Sequence, residues 1–586
     1  MTKRSLFAAA CAPFIAALIL IGGGAWAENI VFPADAGIVD VTQAPYSVRG
    51  DGKTDATSGL QRALDDAKGN ARKIIYLPNG VYRVSATLHW PEAPNTYGFV
   101  NVQGQSRRGT ILALADGVFK DPGRPSPVLT CGRHGSADWF ANSLRNLTVD
   151  TGRGNRGAIG VQFFSNNMGC LRDVAIRSGD GAGVIGLDLG YNDMNGPLLV
   201  KNLAVSGFDV GISCGGAVNS QTMEHVSLSG QNVVGLRNTG QCLSVRDLRS
   251  VGAAPAVENS GAGLLALLGA ALPGGPAAIR NTGALFARDP AAASHPPLSL
   301  FPARAFALPI RETPDVPWDD PAQWVSPAKF GGLPNDDKDD TRAIQAAIDS
   351  GATTVYLPNG NYKISSTVFV RGKVRRIIGC EATIEVPDMG GKPGFRVVDG
   401  AAPVVVFERL GSGYSRATTL ENASRRTLVV RDCINVCGNM TGPGDVFLED
   451  VCANPFTHWR FGRQNVWARQ LNVEDEGDHV VNDGGRLWIL GLKTERGGTL
   501  IETVHGGRTE LDGGFCYTTT AGGLAPMFTV TDAAAALTIG ESCFNGDPYT
   551  RLVRETQGGV TRTLKRGDAP GRTNGSLIVR YLGGKG

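Results

Sequence analysis

Apolar positions along this chain repeat at two periods. Leu60, Ala63 and Leu64 recur at i, i+3 and i+4, and so do Ile344, Ala347 and Ile348, the stripe of a short amphipathic helix. Each predicted helix follows an Asp/Thr-rich N-cap and leads into a short strand and a Pro-Asn-Gly turn. The first copy runs Asp51-Gly-Lys-Thr-Asp-Ala-Thr57 to Tyr76-Leu-Pro-Asn-Gly-Val-Tyr82, and the second runs Asp337-Lys-Asp-Asp-Thr341 to Tyr356-Leu-Pro-Asn-Gly-Asn-Tyr362. A passage repeated at that distance marks two copies of a module.

Between and after the two passages, the pattern predicts strands at a steady beat. In the first module they begin at Asn146, Asp173, Asn202, His225 and Asp247, at intervals of 27, 29, 23 and 22 residues. Asn238-Thr-Gly, Asn259-Ser-Gly and Asn281-Thr-Gly keep the same time and predict a stacked asparagine ladder, with Gly supplying the positive φ of the turn. In the second module Val446–Asn454, Val466–Glu474, Leu487–Glu495 and Thr509–Tyr517 follow one another at 20, 21 and 22 residues. Coils in register at about 4.8 Å then stack three columns: Val451, Leu471 and Leu492 as core; Phe447, Trp467 and Trp488 as core or a sugar platform; and Asn454, Glu474, Glu495 and Tyr517 as a polar edge.

The duplicated passage resembles the start of a pectate-lyase-superfamily right-handed parallel β-helix, in which the helix caps the open end of the coil. Two such starts in tandem are most similar to glycoside hydrolase family 55, the exo-acting β-1,3-glucanases built from two β-helices. The resemblance implies an all-β fold of two tandem right-handed parallel β-helices, each opened by a capping α-helix. Residues 28–286 and 325–586 are the expected modules, and the Pro- and Ala-rich stretch 287–324, with Pro296, Pro297, Pro302 and Pro309, is the expected linker.

Composition agrees with a turn-rich solenoid: 79 glycines in 586 residues, 19% charged and 7% aromatic. A net charge of +3 makes no case for nucleic acid or an anionic membrane as partner. Lys3 and Arg4, the apolar run Phe7 to Ile21 and Ala25-Trp26-Ala27 read as a signal peptide over residues 1–27, so the mature protein is expected to be secreted or periplasmic. No later stretch is long and apolar enough to span a bilayer. Export permits disulfides among the ten remaining cysteines, with Cys433–Cys437 or Cys214–Cys242 as candidates against buried free thiols stacked in the coil. Oligomeric state is left open.

The polar column carries the chemistry. Two carboxylates at equivalent places on neighbouring coils are like charges held close, which is expected to raise one pKa and keep a general acid protonated. Glu495 and Glu474 are the catalytic candidates; the bland alternative makes them solvated strand ends paired with Arg469, Lys493 or Arg496. The family resemblance favours Glu495, because Gly491-Leu-Lys-Thr-Glu495 resembles the family's acid-bearing strand, although Arg496 stands where the family has His. The resemblance also implies water-holding amides from the first module, at Asn167 and Gln221. Asn454, Tyr517 and Trp459 are candidate substrate contacts, and Asp478 belongs to an acidic loop with Asp475, Glu476 and Asp483 beside His479. No metal or cofactor is expected for a hydrolase; calcium in that loop belongs to a lyase reading. The expected function is an exported polysaccharide-degrading hydrolase acting on a β-glucan-like polymer. The alternatives are a lyase acting on a uronate polymer, or a non-catalytic carbohydrate-binding protein.

Overall fold

A computed structural model describes residues 29–67, 73–91, 98–132, 139–288, 291–413, 415–453 and 457–584. The signal-peptide reading and Asn454 therefore lie outside the described residues. Strands from Val39 to Ala293 form a 14-stranded and an 8-stranded sheet, and strands from Thr354 to Gly583 form an 11-stranded and a 10-stranded sheet. Successive coils pair in parallel, so the chain winds two right-handed β-solenoids. Each coil closes on an almost continuous aliphatic interior, which is the core of its half.

The duplicated passage builds the same cap twice. Helix α1 spans Thr57–Asp66 and α2 spans Thr341–Asp349. The expected capping Asp sits one residue further out than the sequence suggests: Asp55 and Asp339 accept from the backbone of Thr57 (2.9 Å) and Thr341 (3.0 Å), and the N-cap positions are Ala56 and Asp340. Each Thr hydroxyl in turn accepts a backbone N–H at 2.9 Å, from Ser85 and Ser365 respectively. Gln61 and Gln345 tie the helices to the coil, each side-chain amide donating to and accepting from the backbone of His89 and Phe369 respectively.

The strand beat also has a different physical meaning from the one expected. Asn146, Asp173, Asn202, His225 and Asp247 are not strand starts. They sit inside long strands at φ of 52° to 57°, where each strand turns a corner. Short polar side chains tolerate that left-handed conformation better than most residues. The second half uses the same device at Asp432, Asp450 and Gln470, and then at Gly491 and Gly513. The asparagine ladder forms as expected, with Asn238 donating to Asn259 at 2.9 Å and Asn259 to Asn281 at 2.7 Å, but of the three turn glycines only Gly261 takes the expected positive φ, at 59°.

The two solenoids meet along a buried ionic seam. Arg145, Arg172, Lys201, Glu224 and Arg246 stack on successive coils of the first half. Arg145 meets Asp432 at 3.3 Å, Arg172 meets Asp432 at 3.3 Å and Glu449 at 2.9 Å, Lys201 meets Glu449, and Glu224 accepts from Arg469 at 3.1 Å. Burial pushes the Glu449 carboxyl up, but the surrounding Lys201 and arginines outweigh it and hold it well below the usual range. Charges this enclosed persist only because they are paired.

The stretch between the modules folds back over the second solenoid. Phe306, Leu308 and Ile310 cover the Phe447–Trp467–Trp488 column, and Trp467 donates its indole N–H to Pro309 at 2.8 Å. Phe447 and Trp467 are stacked at 4.7 Å. That column is therefore core, and its rings are not a platform for sugar. Trp318 and Trp324 pack with Phe32, Tyr76 and Tyr356 where the two caps meet. All ten described cysteines are free and nine are buried, so neither candidate disulfide forms.

Candidate active site

The strands Asn465–Glu474, Arg486–Glu495 and Arg508–Thr518 run in parallel register, and they place Glu474 beside Glu495 and Glu495 beside Tyr517. Ser542 continues the column on the next coil. Period-two alternation puts Asn472 and Lys493, two residues before the carboxylates, on the same face as Glu474 and Glu495. Lys493 is 1% exposed, and its ammonium lies between the two carboxylates, paired with Glu474 and 3.2 Å from Glu495 Oε2. Asn472 donates to Glu474 Oε1 at 3.0 Å, and the Tyr517 hydroxyl donates to Glu495 Oε2 at 2.7 Å. The Lys493 ammonium also stands 5.0 Å from the Tyr517 ring centroid.

The two carboxylates live in different surroundings. The Glu474 side chain is 14% exposed and that of Glu495 is 27% exposed. Burial pushes the Glu474 carboxyl up, but the charge of Lys493 and the bonds from Lys493 and Asn472 prevail and hold it below its ordinary value. The expectation that like charges raise a pKa thus fails for Glu474, because a buried cation separates the pair. Burial pulls Lys493 down, and the surrounding Glu474, Tyr517 and Glu495 more than reverse this, so it stays charged. Burial, with the neighbouring carboxylates, raises the Tyr517 phenol, so it remains a donor.

His479 holds the backbone behind the pair. Its ring nitrogens lie 3.1 Å from the carbonyl oxygens of Glu495 and Thr499, and burial keeps its pKa low. From the first solenoid, Asn167 reaches the site through its main chain: at φ 58° its carbonyl accepts from Asn472 at 3.0 Å. Gln221 is fully buried and donates to Asn195 O at 3.2 Å, with its own carbonyl oxygen buried and unbonded. Asp478 is exposed and lies near Glu502, whose carboxyl burial and the Asp478 charge push up. Within the acidic loop Asp483 turns to Arg460 (2.8 Å) and His505 (2.6 Å).

Trp459 requires a correction. Its ring is fully enclosed in the second solenoid, stacked on Phe461 at 5.8 Å, so it lines no sugar subsite. Lys493 pairs with both carboxylates, as the alternative reading has it, whereas Asn472 is a partner that the sequence reading does not name. Their i−2 spacing from each Glu was the available signal. Arg469, considered as a partner for these carboxylates, is instead fully buried against Glu224 in the seam.

Comparison with known proteins gives three findings. The profile of the family described as rhamnogalacturonase A/epimerase, pectate lyase-like, matches residues 39–263 and 324–392, just over half of the chain. A glucan 1,3-beta-glucosidase of Cochliobolus carbonum is 28% identical over 139 residues, and a probable glucan endo-1,3-beta-glucosidase of Arthroderma benhamiae is 30% identical over 115 residues. Those matches cover 23% and 20% of this chain but only 16% and 12% of the two relatives. Among solved structures, sacteLam55A from Streptomyces sp. SirexAA-E aligns at 12% identity over 95% of this chain and 100% of that one, with a TM-score of 0.44.

Proposed function

The chain belongs to the rhamnogalacturonase A/epimerase, pectate-lyase-like family, and on that premise we propose that it is an exported glycoside hydrolase cleaving a β-glucan-like polysaccharide beside the seam of its two solenoids. The observation that carries the reading is the unequal carboxylate pair around Lys493. Glu474 is the more enclosed and is held ionised by Lys493 and Asn472. Glu495 is the more open, and both of its bonds, from Tyr517 and Lys493, fall on Oε2. Its Oε1 is the atom assigned to carry the transferable proton.

In this mechanism Glu495 gives its proton to the glycosidic oxygen as the bond to the anomeric carbon breaks. Glu474 remains negative and stabilises the oxocarbenium-like transition state; as water bonds to the anomeric carbon, its proton passes to Glu474 or back to the ionised Glu495. Asn167 and Asn472, which join the first solenoid to Glu474, fix the wall against which that water is held. The two curated relatives named for 1,3-β-glucan support a β-glucan as the polymer. Export rests on the expected leader; among the described residues no helix is long and apolar enough to cross a membrane.

The test is to incubate the mature chain with β-1,3-glucans and with uronate polymers, following reducing ends and the ultraviolet absorbance of unsaturated products. Reducing ends without absorbance are expected from the glucan, and Glu495→Gln is expected to abolish them while leaving thermal unfolding unchanged. Absorbance from a uronate would replace the hydrolase with an eliminase. Full activity in the Gln variant would remove Glu495 as the acid.

A further inference from the structure

Beside the carboxylate pair three aromatic rings form a run from the interior to the surface. Phe515 is buried and Tyr517 half-buried, their centroids 6.0 Å apart, and Phe544 follows at 6.4 Å from Tyr517 with its plane at 74°. Phe544 is 75% exposed, the most of any large apolar side chain among the described residues. What singles this ring out is its place: it continues the aromatic run that starts at the carboxylate pair and ends in solvent, where a ligand can reach its face. The ring is not on a loose loop: the backbone of Phe544 donates to Thr518 O at 3.1 Å, and Asp547 to Thr520 O at 3.0 Å. The rim next to it is tied across the seam. Arg572 donates to the carbonyls of Ala217 and Ala262 in the first solenoid at 3.0 and 2.8 Å, lies 5.6 Å from the Phe515 ring, and is joined to the column through Ser576 and Ser542 at 3.1 Å.

We propose that Phe544 is the stacking platform of a sugar subsite next to the Glu474–Glu495 pair, taking the apolar face of a β-linked glucopyranose unit adjoining the bond that is cut. Tyr517 makes the connection. Its hydroxyl bonds to Glu495 while its ring meets Phe544, so a sugar lying on Phe544 is one aromatic ring away from the acid. A pyranose with equatorial hydroxyls presents a face of axial C–H bonds, which suits the negative face of an aromatic ring. The backbone under the ring is already tied to the neighbouring strand, so only the few torsions of the side chain lose freedom on binding. This inference rests on the β-glucan reading above and adds a binding contact that contributes no proton transfer.

The test measures binding of a linear β-1,3-linked glucose oligomer by calorimetry, with the full chain carrying Glu495→Gln so that nothing is consumed. Adding Phe544→Ala is expected to weaken binding about tenfold, and adding Phe544→Trp to restore it. In the active chain Phe544→Ala is expected to raise KM with kcat held. Unchanged affinity in the Ala variant, in a chain whose parent binds and cleaves the glucan, overturns the platform and leaves the hydrolase reading intact. A parent that neither binds nor cleaves the glucan overturns both. A shift in sedimentation with Phe544→Ala, without a change in oligomer affinity, would instead make the ring a contact between protein copies and overturn the subsite.

Discussion

The seam between the solenoids makes a sharp quantitative prediction at Gly491. This residue turns a corner at φ +76°, and a Cβ built there would lie 1.8 Å from Thr222 Oγ1, 3.1 Å from its Cβ and 3.3 Å from its Cγ2. Gly491→Ala therefore carries two costs: the left-handed conformation, about 1–2 kcal/mol for a non-glycine residue, and overpacking against a fixed neighbour, about 1–3 kcal/mol. Gly506 separates them, because it has the same φ of +76° with nothing within 4 Å of its added Cβ. Gly506→Ala is expected to show only the first cost, and Gly491→Ala both, a total of about 2–5 kcal/mol. Thr222→Ala removes the clashing Oγ1 and the Cγ2 and leaves the Cβ at 3.1 Å, so it should rescue most of the packing cost but not the conformational one. The assay is urea unfolding followed by the fluorescence of the second-half tryptophans, read as midpoint shifts among the four variants and the parent, with the Gly491/Thr222 cycle giving the coupling. Equal destabilisation by Gly491→Ala and Gly506→Ala, or no rescue by Thr222→Ala, would refute the docking of Gly491 on Thr222.

Two further predictions concern charge. Lys493→Met leaves Glu474 enclosed with only Asn472 as a partner, so the Glu474 pKa should rise and the acid limb of the kcat/KM–pH profile should move to higher pH, with a stability loss of about 3–5 kcal/mol; an unmoved limb would show that Lys493 does not set the ionisation of the pair. His225 lies 2.7 Å from Asp247 and 3.0 Å from Glu312 of the connecting stretch; burial pulls its pKa down, but the Glu312 bond, the Glu224 charge and the Asp247 bond together raise it above the ordinary value. A raised folded pKa stabilises fully below the unfolded value of about 6.5 and is lost as pH climbs through the folded value. Glu312→Gln should therefore flatten the fall in melting temperature as pH climbs above about 6.5, as checked by calorimetry at several pH values; an unchanged slope would show that the Glu312 contact does not raise the His225 pKa.

How far the sequence could be read depends on distance along the chain. The columns Val451–Leu471–Leu492 and Glu474–Glu495–Tyr517 were legible because coil neighbours lie one repeat apart, and repeats are visible as spacing. Corners and caps were legible in kind but displaced, since left-handed polar residues and N-terminal Asp look alike whether they open a strand or bend it. The seam was not legible. The partners of Arg145, Arg172, Lys201 and Glu224 lie some two to three hundred residues away, with no periodic trace to point to them. The same distance hid the cover over Trp467 and Trp488, which comes from a proline-rich stretch with no pattern of its own. Trp459 failed for the opposite reason: alternation of period two leaves open which face of a strand turns inward, and its ring turned in.

The seam also has a sense of direction. The first half presents positive charge at Arg145, Arg172 and Lys201 and then reverses sign at Glu224, while the second half answers with Asp432 and Glu449 and then reverses at Arg469. Sliding one solenoid past the other by a single coil would set Glu224 against Glu449, or Lys201 against Arg469, with the charges out of water. Solenoids are self-similar along their axis, so apolar packing alone would accept such a slip at modest cost. The sign reversal works as a key with one asymmetric tooth: it admits a single register, and that register is the one that brings Asn167 of one coil to Asn472 of the other.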